Sequence, residues 1–184
     1  MPKRDKMDML KAGDAQDVLE MLRDDHEKVK SLFQEFEEAE DSKTKQRICE
    51  ETLLELKVHA QLEEEVFYPA VRAEIDEEEI MDEAVEEHHV AKMLISELED
   101  MDPDDDQFEA KFTVLGEVVD HHVQEEEGEM FPQVEDMDLD FESLAQEMTQ
   151  RKEELMEELG SGQGKTSKRK TAPRAKRSPA ESRR

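Results

Sequence analysis

The sequence predicts an all-α protein: an up-down-up-down four-helix bundle, then a short fifth helix and a disordered basic C-terminal tail. Three observations predict it. Only six glycines and six prolines occur among 184 residues, so few positions interrupt a helix. Apolar residues recur at alternating steps of three and four along four long stretches, the signature of a helix with one buried face. The second pair of stretches then repeats the first at an offset of 62 to 63 residues, aligning His26 with His88 and His59 with His122. Long amphipathic helices joined by short polar turns pack as a bundle.

Residues 1–13 are expected to form a flexible N-terminal segment, and a bundle domain is expected over residues 14–135. The first helix begins near Asp14, a side chain that can cap it, and runs to about Glu40 on a stripe of Leu19, Leu22, His26, Val29, Phe33 and Phe36. The second begins after Ser42 and continues to about Val71 through Cys49, Thr52, Leu56, His59, Glu63, Val66 and Ala70. The third spans about Glu77 to Met101, where Asp102 and Pro103 stop it; Met81, Ala84, His88, Ala91, Ile95 and Leu98 make its seam. The fourth covers about Asp106 to Val134 through Phe108, Phe112, Leu115, Val119, His122, Glu126 and Met130. An additional helix is expected within residues 136–159, from about Asp140 to Leu159, and residues 160–184 form the tail.

Charge separates the tail from the body. The net charge is −28, yet the residues from Gly160 onward carry nine Lys/Arg and one acid, so the preceding body holds −36. Such a body repels nucleic acid and keeps a protein dispersed. No apolar run approaches the ~20 residues that cross a bilayer, so no membrane partner is expected. The N-terminal MPKRDKMDMLKAGD has no apolar segment behind its basic residues, and Cys49 has no internal disulfide partner. Both point to a cytoplasmic setting.

Six polar residues occupy the predicted seams: His26, His59, Glu63, His88, His122 and Glu126. An unpaired ionised carboxylate buried there costs several kcal/mol, and two near the axis repel each other. A pair of metal cations removes both penalties, because neutral imidazoles and carboxylates are natural ligands. The spacing His-x-x-x-Glu sets both groups on one helix face, one turn apart. Two such helices and one histidine from each of the others offer four nitrogens and two carboxylates. A single seam histidine is more often a hydrogen-bonded core residue; two equivalent copies with all four histidines on seams favour a metal site. A ferritin-type site needs Glu-x-x-His twice, and only Glu86-x-x-His89 fits.

His89 and His121 flank the candidate ligands about 100° around the helix and are expected to be exposed or to lie behind them. Glu64, Glu65, Glu125 and Glu127 read as solvated faces, although a carboxylate next to a ligand can rotate into a site. Tyr68 reads as a packing residue with its hydroxyl near the bundle end, and Cys49 as a small core hydrophobe. Pro69 and Pro132 remove donors, so each motif-bearing helix should kink or loosen about one turn past its carboxylate.

The ordered set His26, HAQLE from His59 to Glu63, His88, and HVQEE with Glu126 fourth after His122 resembles the hemerythrin-like, cation-binding HHE domains. FYP at 67–69 and MFP at 130–132 fit the same pattern, and the resemblance covers residues 14–135. It implies two non-haem iron ions, oxo- or hydroxo-bridged, with Glu63 and Glu126 bridging them. Oxygen-carrying hemerythrins add a fifth histidine where this chain has Lys92, and Met93 follows His89 at the same interval; its absence implies a more open metal pair. The implied partners are a small diatomic ligand or peroxide. Three functions follow: binding or sensing dioxygen, nitric oxide or iron; enzymatic action on peroxide or other reactive species; and iron storage or delivery. The basic tail reads either as a solvated extension or as an arm for nucleic acid or another polyanion. Oligomeric state stays open.

Overall fold

The computed structural model describes residues 15–72, 74–75 and 78–161. The expected flexible segment 1–13, the Asp14 cap, the start of the third helix at Glu77 and the basic tail lie outside the described residues.

Helices α1 (Ala15–Glu38) and α2 (Ser42–Leu62) form one hairpin, and α4 (Glu78–Glu99) and α5 (Phe108–Glu125) form the second. A π-helical turn, Glu63–Phe67, follows α2 and leads into the single-turn α3 (Tyr68–Val71). Its counterpart, Glu126–Met130, follows α5 and leads into α6 (Phe131–Glu135). Helix α7 (Phe141–Gly160) then lies against α1 and α2. The four main helices close a ring in which α1 also touches α5, and α2 touches α4.

Local chemistry sets the helix starts. Asp41 caps α2 by accepting from the Thr44 amide at 3.0 Å, and Asp140 caps α7 by accepting from the Ser143 amide at 3.1 Å. Asp102 and Asp105 close the α4–α5 connection on backbone amides. Gly116 admits close approach of α1: a Cβ there would stand 3.1 Å from Phe33 Cδ1.

The π turns correct the expectation of two unbroken helices loosened past their carboxylates: the departure from α geometry begins at Glu63 and Glu126 themselves. Tyr68 N–H donates to the Glu63 carbonyl and Phe131 N–H to that of Glu126, each five residues back. Buried residues run His59, Glu63, Phe67, Val71 and His122, Glu126, Met130, Val134. Four-residue steps advance about 40° too far on a straight α-helix, and one wider turn takes up the excess. This is why Val71, not the expected Ala70, is the buried residue. Pro69 and Pro132 stand second in the restarted helices, where a missing N–H is tolerated.

The core has two apolar layers. One contains Leu19, Leu22, Leu62, Phe67, Met81, Met130, Phe131, Val134 and, from α7, Met148 and Leu155. The other contains Val29, Phe36, Ile48, Leu53, Leu56, Ile95, Phe112 and Leu115. Between them in sequence fall six buried polar residues: His26, His59, His88 and His122, one on each main helix, and Glu63 and Glu126 at the starts of the π turns. Burial of each large apolar side chain contributes ~1.5–3 kcal/mol, so the layers hold the bundle together, while the polar plate carries a desolvation cost.

Candidate metal centre

All six expected seam residues converge on that plate. His59 Nε2 stands 3.1 Å from Glu63 Oε1, and His88 Nε2 stands 3.2 Å from Glu63 Oε2. Glu63 thus offers one oxygen to each hairpin. Glu126 Oε2 lies 3.3 Å from His26 Nε2 and 4.0 Å from His122 Nε2. The imidazoles pair: His26 and His59 bring their Nε2 atoms to 3.1 Å, and His88 and His122 bring theirs to 3.2 Å. Two ligand groups result, His26–His59–Glu63–Glu126 and Glu63–His88–His122, each fully buried and with donor atoms within 4.8 Å of one another. Joined through Glu63, they form a candidate binuclear metal site.

Four outer carboxylates face the opposite nitrogens of these rings. His26 Nδ1 meets Glu127 Oε1 at 2.7 Å, His88 Nδ1 meets Glu64 Oε1 at 3.0 Å, and His122 Nδ1 meets Glu87 Oε2 at 2.9 Å. Asp25 Oδ2 faces His59 Nδ1 at the longer distance of 3.6 Å. A carboxylate at Nδ1 holds the proton there and turns the Nε2 lone pair inward. Glu64 and Glu127 are therefore not the solvated faces expected of them. Glu65 is exposed and pairs with Arg151, whereas Glu125 pairs with His121. His89 is exposed, as His121 is.

Inside the plate, four imidazole Nε2 atoms and two carboxylates face one another, and both oxygens of Glu63 and Oε2 of Glu126 stand near those nitrogens without hydrogen-bond geometry. Such a set can coordinate a binuclear metal centre. Electrostatics agree. Burial alone would lower the His59 imidazole, but the Glu63 charge and the Asp25 contact outweigh it and push its pKa up to about 10. His88 rises to about 9 because contact with Glu63 and Glu64 outweighs burial. Burial opposes ionisation of Glu63, yet His59 and His88 hold its carboxyl well below the usual range.

Tyr68 is more than a packing residue at the bundle end. Its ring stacks on His88 at 5.7 Å, and its hydroxyl donates to Glu126 Oε1 at 3.4 Å. Asp25 and Glu87 were missed by sequence reasoning, although each immediately precedes a first-position histidine in its repeat. Cys49 is buried, and burial pushes its thiol up to about 12, which suits an inert core residue.

Two spaces adjoin the plate. An apolar cavity of about 30 Å³ lies against the histidines, walled by Val29, Leu56, Ala91, Ile95 and Val119. Outside it, a groove of about 500 Å³ runs between α1 and α5 past Phe33 and Gly116 to His26 and Glu127. Lys92 occupies the place of the fifth histidine, and its ammonium turns outward to Glu64 at 2.6 Å.

Comparisons with known proteins bear on the family and the fold. The family model described as "Hemerythrin HHE cation binding domain" matches residues 17–134. A solved structure of a hemerythrin HHE cation-binding domain-containing protein from Mycobacterium kansasii superposes with a TM-score of 0.69 at 25% identity, covering 81% of this chain and 93% of that one. A curated relative from Nostoc sp. named "DNA nickase" is 32% identical over 161 residues. That alignment covers 85% of this chain and 43% of the relative's length.

Proposed function

The chain belongs to the hemerythrin HHE cation-binding family, and on that premise we propose that its plate holds two iron ions that bind or sense a small molecule such as dioxygen or nitric oxide. The observation that carries this reading is the donor-poor cage itself: four inward imidazole nitrogens and two buried carboxylates with orphaned oxygens. His26 and His59 would hold one ion, His88 and His122 the other, with Glu63 and Glu126 shared between them. When bound, a ferrous pair supplies electrons and an open coordination position to the ligand.

The protein's own residues do the rest. Glu127, Glu64 and Glu87 fix the rings of His26, His88 and His122, and the two apolar layers exclude bulk water. The 30 Å³ cavity has room for about one water-sized molecule, which favours a diatomic over a larger substrate. With Lys92 turned to Glu64 and Met93 exposed, neither side chain replaces the fifth imidazole of oxygen-carrying relatives. No described helix is long and apolar enough to cross a membrane. A reduced cytoplasm is the setting we assign, consistent with one buried cysteine.

Purified protein should contain about two iron ions per chain and show near-ultraviolet charge-transfer absorption of paired ferric ions. His59→Ala and His122→Ala should lose metal and His89→Ala should keep it; iron retained by both plate variants would sink the assignment. A second reading, an enzyme acting on peroxide, is favoured by the buried Tyr68 hydroxyl at Glu126, a proton source beside the plate. Stopped-flow mixing separates the two: catalytic peroxide loss supports the enzyme, a stable adduct with oxygen or nitric oxide the sensor. The name of the Nostoc relative and the basic residues after 160 favour contact with DNA through that tail. Salt-sensitive retention on DNA by the full chain but not by residues 1–161 tests it.

A further inference from the structure

Helix α7 lies beyond the residues matched by the family model, yet it reaches the surroundings of the plate. Lys152 Nζ bonds Asp25 Oδ1 at 2.5 Å; Asp25 is buried and Lys152 partly so. The other oxygen of Asp25 has no hydrogen-bond partner, and neither does His59 Nδ1, which it faces across 3.6 Å. The three remaining outer carboxylates all close on their imidazoles, at 2.7, 2.9 and 3.0 Å. Glu64 shows that a lysine alone does not cause the gap: it bonds Lys92 and still reaches His88. Asp25 is one methylene shorter than Glu64, and shorter than its repeat counterpart Glu87. An aspartate anchored on α7 falls short of the ring on α2.

We propose that Lys152 is a positioning residue that draws Asp25 away from His59 and thereby makes the two metal positions unequal. An imidazole whose Nδ1–H is bonded to a carboxylate is the stronger metal donor. His59 has only the longer 3.6 Å contact with Asp25, and the Lys152 charge further opposes a cation at the His26–His59 position. The His88–His122 position has both its carboxylates engaged and, among the described residues, no lysine paired with Glu87 behind His122; Glu87 instead faces the exposed His121 at 3.4 Å. The first position is thus the weaker and more oxidising of the two. The inference rests on the metal reading of the plate, and its test must tell the two apart.

Cobalt(II) titration of the metal-free full chain, followed by d–d absorption, gives that test, with midpoint potentials of the iron-loaded protein as a second readout. Two unequal binding steps are expected in the wild type. Lys152→Met should tighten the weaker step about tenfold and shift the potential downward, because Asp25 is released toward His59 and a positive charge is lost. Asp25→Glu, long enough to reach both groups, should tighten it in the same sense, and Lys152→Arg should behave as wild type. Asp25→Asn should loosen the same step. Structural damage would instead loosen the step in Lys152→Met and Asp25→Asn alike, and that result overturns the proposal. So does an Arg151→Gln effect equal to that of Lys152→Met, since Arg151 pairs with exposed Glu65 on the same helix. Two steps in the wild type that no variant changes would sink this inference alone. A wild type that takes up no cobalt would sink the metal reading, and this inference with it.

Discussion

Within the plate, protons and metal ions compete for the same lone pairs. His59 and His88 have pKa values pushed up to about 10 and about 9, so in metal-free protein both are charged at neutral pH. Their folded values exceed the unfolded one, so their stabilisation is full below about pH 6.5 and is lost as pH rises toward 9 and 10. Glu63 has the opposite sign: its folded value is depressed, and its contribution disappears as pH falls through and below the ordinary carboxylate range. Thermal melts of metal-free protein should therefore show a melting temperature that declines between pH 6.5 and 10, while the metal-loaded form lacks that decline. Metal uptake at neutral pH should also release protons, measurable in weakly buffered indicator solution. A flat alkaline profile for the metal-free form would contradict the geometry of the plate.

At the scale of elements, the convergence of six polar residues on one plate was legible because all six sit on seams made mostly of apolar residues. The repeat of His-x-x-x-Glu gave the two carboxylates, and the aligned His26 and His88 gave the remaining imidazoles. The outer carboxylates were not legible, because Asp25, Glu64, Glu87 and Glu127 are four acids among 53 Asp/Glu. Only three-dimensional contact separates them from solvated neighbours. The π turns lay in between: His59, Glu63, Phe67, Val71 announces steps of four, but an expectation of α geometry reads Ala70 as the next buried residue. Gly116 belongs to this scale too. Its substitution by leucine would press on Phe33, destabilising the bundle by ~1–3 kcal/mol and narrowing the groove that leads to His26. A lower melting temperature with slower ligand entry in stopped-flow mixing is the expected outcome.

Over the whole molecule, the fold class followed from helix length and few breakers, and the family resemblance from the order of motifs. What the linear pattern did not convey is the asymmetry. Two equivalent hairpins build the plate, but α7 packs on the α1–α2 hairpin and sends Arg151 to Glu65 and Lys152 to Asp25. The residues beyond 161 add most of the chain's concentrated positive charge. Their removal should leave metal content and melting temperature unchanged, by metal analysis and calorimetry of residues 1–161. Loss of metal on that truncation would make the tail part of the folded domain.

The two dry layers on either side of the polar plate have a further consequence for how long the protein survives. Any ion that binds only the folded chain stabilises it by mass action, about 2.7 kcal/mol when free metal is a hundred times the dissociation constant. A bundle whose middle layer is polar gives up apolar burial there and gains the more from that contribution. Its turnover by proteases would then follow the supply of metal, so that the abundance of the chain itself reports how much is at hand.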